Sequence, residues 1–158
     1  MSSSQNSLAS SQSLILKTKE GIGTEDNAFK TSVEQLDAAN STNGDIYISN
    51  VGKLNLVDLD GDNMAISNAG GGIIETLSPM TISDNIVQTN DFSLIAGQSN
   101  TDDDTLTIKA NIENKAEGNI YFKAGSDIMH QSFVITSKQV KYGRQNRKYY
   151  PNRRWHPG

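Results

Sequence analysis

Between residues 14 and 137 one phrase keeps returning: a polar turn, then a short stretch in which apolar and polar residues alternate. It reads GDIYISN at 44–50, GKLNLVD at 52–58, DNMAISN at 62–68, DFSLIAG at 91–97, DTLTIKA at 104–110 and GNIYFKA at 118–124. Each phrase places two apolar residues two positions apart: Ile46/Ile48, Leu54/Leu56, Met64/Ile66, Phe92/Leu94, Leu106/Ile108 and Ile120/Phe122. A period of two is that of a strand with one face buried. The pattern predicts strands at all six places and these twelve side chains as the core. Thr31–Asn40 departs from it, because Val33 and Leu36 stand three apart and suit a short helix. We read it instead as two strands, Phe29–Val33 and Gln35–Ala38.

The intervals carry more information than the strands. Ile46 to Leu54 is eight residues, Leu54 to Met64 ten, and Leu106 to Ile120 fourteen. Short strands at such spacing, divided by Gly, Asn and Asp, suit a sandwich, a barrel or a β-helix. Tight hairpin signals are few, Asp60-Gly61 being the main one. The phrases also resemble one another, as stacked repeats should, and the abundant asparagines can stack in ladders at the turns of a coil. The expected fold is therefore all-β, a β-helix (solenoid) of five or six coils of on the order of twenty residues each. An antiparallel β-sandwich is the alternative. Exposed strand edges at both ends predict fraying or aggregation of the isolated chain.

Composition agrees with turn-dense β structure. Hydrophobic residues make up 35% of the 158, and the balance lies in Ser, Thr, Asn, Gly and Asp, which favour turns and strands over helices. There is no cysteine, which excludes disulfides and thiolate metal sites. The start, MSSSQNSLASSQS, lacks the basic and apolar regions of a signal peptide. No apolar run has the length of a membrane span. Residues 1–13 are expected to be disordered, residues 14–137 to form the repeat region, and residues 138–158 to be an unstructured basic, aromatic tail.

Charge sharpens that division. The net charge is −4, yet all four arginines lie in 138–158. Residues 1–137 hold seven basic residues and all eighteen acids, a balance of −11. An acidic body without arginine is a poor binder of nucleic acid or phosphate. The tail block alone specifies no partner, so no nucleic acid is expected.

The stretch from Leu14 to Asn63 also carries a resemblance. GIGT at 21–24 precedes FKTSV at 29–33, then QLDAAN at 35–40, GDIYISN at 44–50 and LNL at 54–56. Looser phrases continue with DNMAISNAGGG, FSLIAG and GNIYFKAGSDI. This ordered series, over roughly residues 14–136, resembles the β-helix repeat region of filamentous haemagglutinin-like bacterial adhesins of the two-partner-secretion type. The resemblance implies a right-handed parallel β-helix, export across the cell envelope and adhesion at a secreted or cell-surface location. It implies a host-cell or surface receptor, or a glycan, as partner of the full-length protein, with neighbouring coils as the chain's own partners. The secretion domain and signal sequence of that family are not found here, so we expect a fragment or truncated product. The expected function is structural and adhesive, without catalysis or cofactor. A carbohydrate-active β-helix, lyase- or hydrolase-like, is the alternative.

Candidate sites are few. In DLDGDN, Asp58, Asp60 and Asp62 occupy the first three ligand positions of an EF-hand loop. The sixth is Asn63 where Gly is required, and the twelfth is Ala69 where a bidentate Glu is required. These aspartates are weak calcium candidates, and a solvated corner turned by Gly61 is the preferred reading. TDDDT at 101–105 is read as a loop that blunts aggregation. GIGTED and NAGGGI lack the residues of nucleotide-binding loops and are read as turns. His130 and His156 have no placed partners for a triad or a zinc site. Asn40-Ser41-Thr42 is a formal glycosylation sequon and is read as a surface loop.

Overall fold

The computed structural model describes residues 8–97, 104–116, 118–131 and 135–144. Among them there is no helix, and fifteen strands form a single sheet wound into a β-solenoid of about six turns. Each named strand pairing is parallel, which excludes the antiparallel sandwich.

The strands stack in three columns, here called faces A, B and C. Two long strands, β1 (Leu8–Thr18) and β2 (Phe29–Asn40), begin the stack and lie side by side from Leu8↔Lys30 to Thr18↔Asn40. Face A continues from the start of β2 through β3 (Ile46–Asn50), β6 (Gly72–Thr76), β9 (Phe92–Ala96), β12 (Asn119–Ala124) and β15 (Gln139–Arg144). Face B continues from the middle of β2 through β4 (Leu54–Leu56), β7 (Met80–Ile82), β10 (Leu106–Ile108) and β13 (Ile128–His130). Face C runs from the end of β2 through β5 (Met64–Asn68), β8 (Asn85–Gln88), β11 (Ile112–Asn114) and β14 (Ile135–Thr136).

The period-two pattern sets what faces inward. Ile46, Ile48, Leu54, Leu56, Ile66, Phe92, Leu94, Leu106, Ile108, Ile120 and Phe122 are all buried, as expected. Met64 is the exception, only partly buried. A register irregularity between Met64 and Ile66 hands the inward place to Ala65. The same core contains Leu36, Ile74, Met80, Ile82, Ile86 and Ile112. Burying each large side chain contributes about 1.5–3 kcal/mol.

Inward polar positions form ladders at the corners. Where face C turns toward A, Asn40 Nδ2 donates to Asn68 Oδ1 at 3.1 Å. Gln88 and Asn114 follow in the same register column. Where A turns toward B, Thr31 Oγ1 donates to Asn50 Oδ1 at 2.6 Å, and Asn50 Nδ2 reaches Thr76 Oγ1 at 3.3 Å. Thr76 also donates to the Gly52 carbonyl.

Several boundaries differ from expectation. Residues 8–13 are not disordered; they belong to β1, because even a Ser-rich segment gains backbone hydrogen bonds beside β2. Residues 139–144 are not an unstructured tail; they form β15, with Val140 and Tyr142 half-buried on the core. Residues 1–7 and 145–158 lie outside the described residues. Phe29–Asn40 is one strand, with no helix. Coils run from 19 residues (Phe29 to Ile48) to 28 (Phe92 to Ile120), because corner loops take up the surplus. No helix among the described residues is long and apolar enough to cross a membrane.

Candidate functional site

The aspartate motif occupies the corner between faces B and C in the coil that holds β4 and β5. The β2 strand passes that corner without a break, whereas Val57–Asn63 forms a loop. The loop is held by its own acids. Asp58 Oδ1 accepts from the amides of Asp60 at 3.1 Å and Gly61 at 2.7 Å, and its Oδ2 accepts from Asn63 at 2.9 Å. Asp60 Oδ1 accepts from the Asp62 amide, and Asp62 Oδ1 from the Met64 amide. Gly61 and Asn63 hold the left-handed conformation such a reversal needs, with φ of 89° and 69°.

The loop folds back over its neighbours. Asp37 lies on β2 between inward Leu36 and Ala38, so the strand turns it outward, yet it is only 2% exposed. Its Oδ2 accepts from the Leu59 amide at 2.7 Å. On the opposite side, Asp84 Oδ2 accepts from the Asp58 amide at 2.8 Å. Lys17 of β1 places its ammonium 2.5 Å from Asp60 Oδ2. The corner thus ties together four successive coils.

The sequence candidates Asp58, Asp60 and Asp62 are brought together, and Asp37 joins them, with one oxygen from each within 4.8 Å of the others. Asp37 could not be foreseen, because the loop that covers it approaches only in the folded coil. Its carboxyl is held above the usual range, mainly by burial, against the lowering effect of the Leu59 amide. Asp60 is held below the usual range, first by the hydrogen bond from Lys17. Lys17 is raised for the same reason. The carboxylate oxygens are spent largely on amide donors, and Lys17 supplies the positive charge beside them. A calcium ion would compete with those bonds.

The chain matches no family model, no curated protein and no solved structure.

The remaining candidates are structural in setting. Within GIGT, Ile22 is buried and its carbonyl accepts from the Tyr47 amide at 2.7 Å, so the segment forms part of a coil. Asn40, read as marking a surface loop, is instead 1% exposed and held in the ladder; only Ser41 and Thr42 of the sequon are exposed. Within TDDDT, residues 101–103 lie outside the described residues, and Asp104 is buried, not solvated. His130 packs on the last described coils, its ring centroid 5.1 Å from Tyr142 and 6.4 Å from Phe122. Burial lowers its pKa to about 4. His156 lies outside the described residues.

Proposed function

We propose that the chain is a non-catalytic structural and adhesive segment of a large bacterial surface or secreted adhesin. The observation that supports it best is the continuous core: one stack of apolar rungs runs through the coils with amide ladders at its corners. Such a stack lengthens by adding coils, each resting on its neighbours, and presents a long side surface. The resemblance of the repeated phrases to filamentous haemagglutinin-like proteins adds the adhesin class, with a host receptor or glycan as partner. The test is adhesion of beads displaying the chain to host cells, beside a display control carrying Leu56→Asp, which destroys the core. Retention of the intact chain alone supports the reading; equal retention of both contradicts it.

One observation favours a second, carbohydrate-active reading. Asp37 and Asp60 are shifted in opposite directions and lie close together, as an acid and its partner carboxylate would be. Against it, Asp37 is closed off beneath the loop and Asp60 is engaged by Lys17. Turnover of neutral or acidic polysaccharides that disappears in both Asp37→Asn and Asp60→Asn would replace the adhesive reading.

A further inference from the structure

On the side of the solenoid away from the aspartate corner, an open groove of about 620 Å³ crosses several coils where face C turns into face A. Its wall begins with Tyr47 on β3, followed in register by Ile73 on β6 and Ser93 on β9, all on the outward side and half-buried. Asp45, Asn90 and Asp91 stand along its other side. The floor is bare backbone at Gly71 and Gly72. A side chain there is excluded, since a Cβ on Gly72, at φ 126°, would sit 1.9 Å from the Ile46 carbonyl oxygen.

The two aspartates are fixed in the same way. Asp45 Oδ1 accepts from the Gly71 amide and Asp91 Oδ1 from the Asn119 amide, each at 2.8 Å. Each carboxylate is thereby oriented by the coil above it. The Tyr47 hydroxyl lies 3.4 Å from Asp45 Oδ2. Asp45 and Asp91 occupy equivalent positions two coils apart, a separation of about 10 Å at the normal strand spacing. That is on the scale of two sugar rings in an extended chain.

The groove offers a ring, an aliphatic side chain, oriented carboxylates and an amide, and among the described residues no Lys, Arg or His lines it. An anionic chain would meet carboxylates without a countercharge. A pyranose fits: its axial C–H face is apolar and stacks on an aromatic ring, while its hydroxyls donate to carboxylate and amide oxygens. The volume lies within the ordinary range for a ligand site.

We propose that this groove binds a neutral oligosaccharide, with Tyr47 stacking on one sugar ring and Asp45, Asn90 and Asp91 accepting hydroxyl hydrogen bonds. The inference rests on the adhesive part of the proposed function and gives that part a site.

The test is calorimetric titration of the whole chain with cello-, chito- and malto-hexaose. At least one should bind, with an affinity that does not change between low and high salt. Tyr47→Ala should weaken it by about tenfold or more, the equivalent of 1.4 kcal/mol. Ser93→Trp should abolish it by filling the groove from an outward position without removing a wall. Circular dichroism should match the parent for both. Failure of all three sugars to bind overturns the proposal, as does binding unchanged in both variants. Binding of a lysine-rich peptide alone, lost at high salt, also overturns it. If beads still adhere to host cells while the sugars fail, only the groove is lost and the adhesive reading stands.

Discussion

At the corner between faces C and A, Asn40, Asn68 and Asn114 are at most 5% exposed, and they hydrogen-bond both to the turn and across coils. At the corner between faces B and C, Asp60 and Asp62 are exposed, and the acids mainly cap amides of their own loop. The two side chains have nearly the same shape. What separates them is the amide's donor. Asn68 Nδ2 donates a hydrogen bond to the Gly71 carbonyl at 2.8 Å while its Oδ1 accepts from Gly70 and Asn40, each at 3.1 Å. A carboxylate can only accept. It can gather the amides of a loop, but it cannot satisfy a buried carbonyl, and burial opposes its charge. The inward corner therefore takes asparagine and the solvent corner takes aspartate.

Exchanging the two chemistries should produce the largest effect. Asn68→Asp removes the donor to Gly71 and buries a charge, at a cost of about 3–5 kcal/mol. That is a fall in melting temperature of roughly 6–20 °C for a chain of this size. The introduced acid would have a raised pKa, so the loss should shrink as pH falls through that value and the protonated acid regains a donor. Thermal melts from neutral to acidic pH measure it. A pH-independent loss would break the comparison.

Removing an acid at the exposed corner should cost much less. Asp58→Ala leaves three amides that water can reach, a loss of about 1 kcal/mol, read in the same melts. An effect equal to that of Asn68→Asp would show that the aspartate corner bears as much of the fold as the ladder does.

The ladder's weak rung makes a third test. Gln88 is fully buried, and neither amide atom has a hydrogen-bond partner among the described residues. It occupies the column of Asn68 and Asn114, where a shorter side chain reaches the turn. Gln88→Asn should raise the melting temperature by about 2–4 °C, equivalent to roughly 1 kcal/mol. A lowered value would mean that the extra methylene is needed to fill the coil.

Acid titration reads the comparison through charge. The ladder amides do not titrate, and at the aspartate corner Asp37 and Asp60 are shifted in opposite directions. The raised Asp37 favours the fold as pH falls through its folded value. The lowered Asp60 contributes above its unfolded value and loses that contribution in stronger acid. His130 carries a large shift and acts between pH 6.5 and about 4. Its folded pKa lies below the unfolded one, so stability should be full above pH 6.5 and decline as pH falls toward 4. His130→Phe should flatten that decline in melts, and an unchanged slope would assign it elsewhere.

The rungs were legible because two apolar residues around one polar residue suffice to mark an inward strand. Leu54/Leu56, Met80/Ile82 and Leu106/Ile108 stack in register on face B as the same phrase. The middle pair was missed because Pro79 stands before it where the other phrases carry a Gly or Asp turn. Ladder chemistry was legible as a surplus of asparagine, but not by position, since Asn40 also stands in a sequon. The closeness of Asp58, Asp60 and Asp62 followed from their spacing. Asp37 and Lys17 did not, because they reach the loop only through coil stacking. Val140 and Tyr142 alternate, but the surrounding basic residues obscured β15.

The central claim is that coils stack in parallel at a fixed register. The parent has no cysteine, so paired substitutions on outward positions report it directly. Ser49 and Glu75 are partners on face A, and Asn55 and Thr81 on face B, at a strand spacing within disulfide reach. Under mild oxidation, Ser49→Cys with Glu75→Cys should cross-link, as should Asn55→Cys with Thr81→Cys. The mismatched pair Ser49→Cys with Thr81→Cys should remain reduced. Failure of both matched pairs, or equal cross-linking of the mismatched pair, would contradict the solenoid.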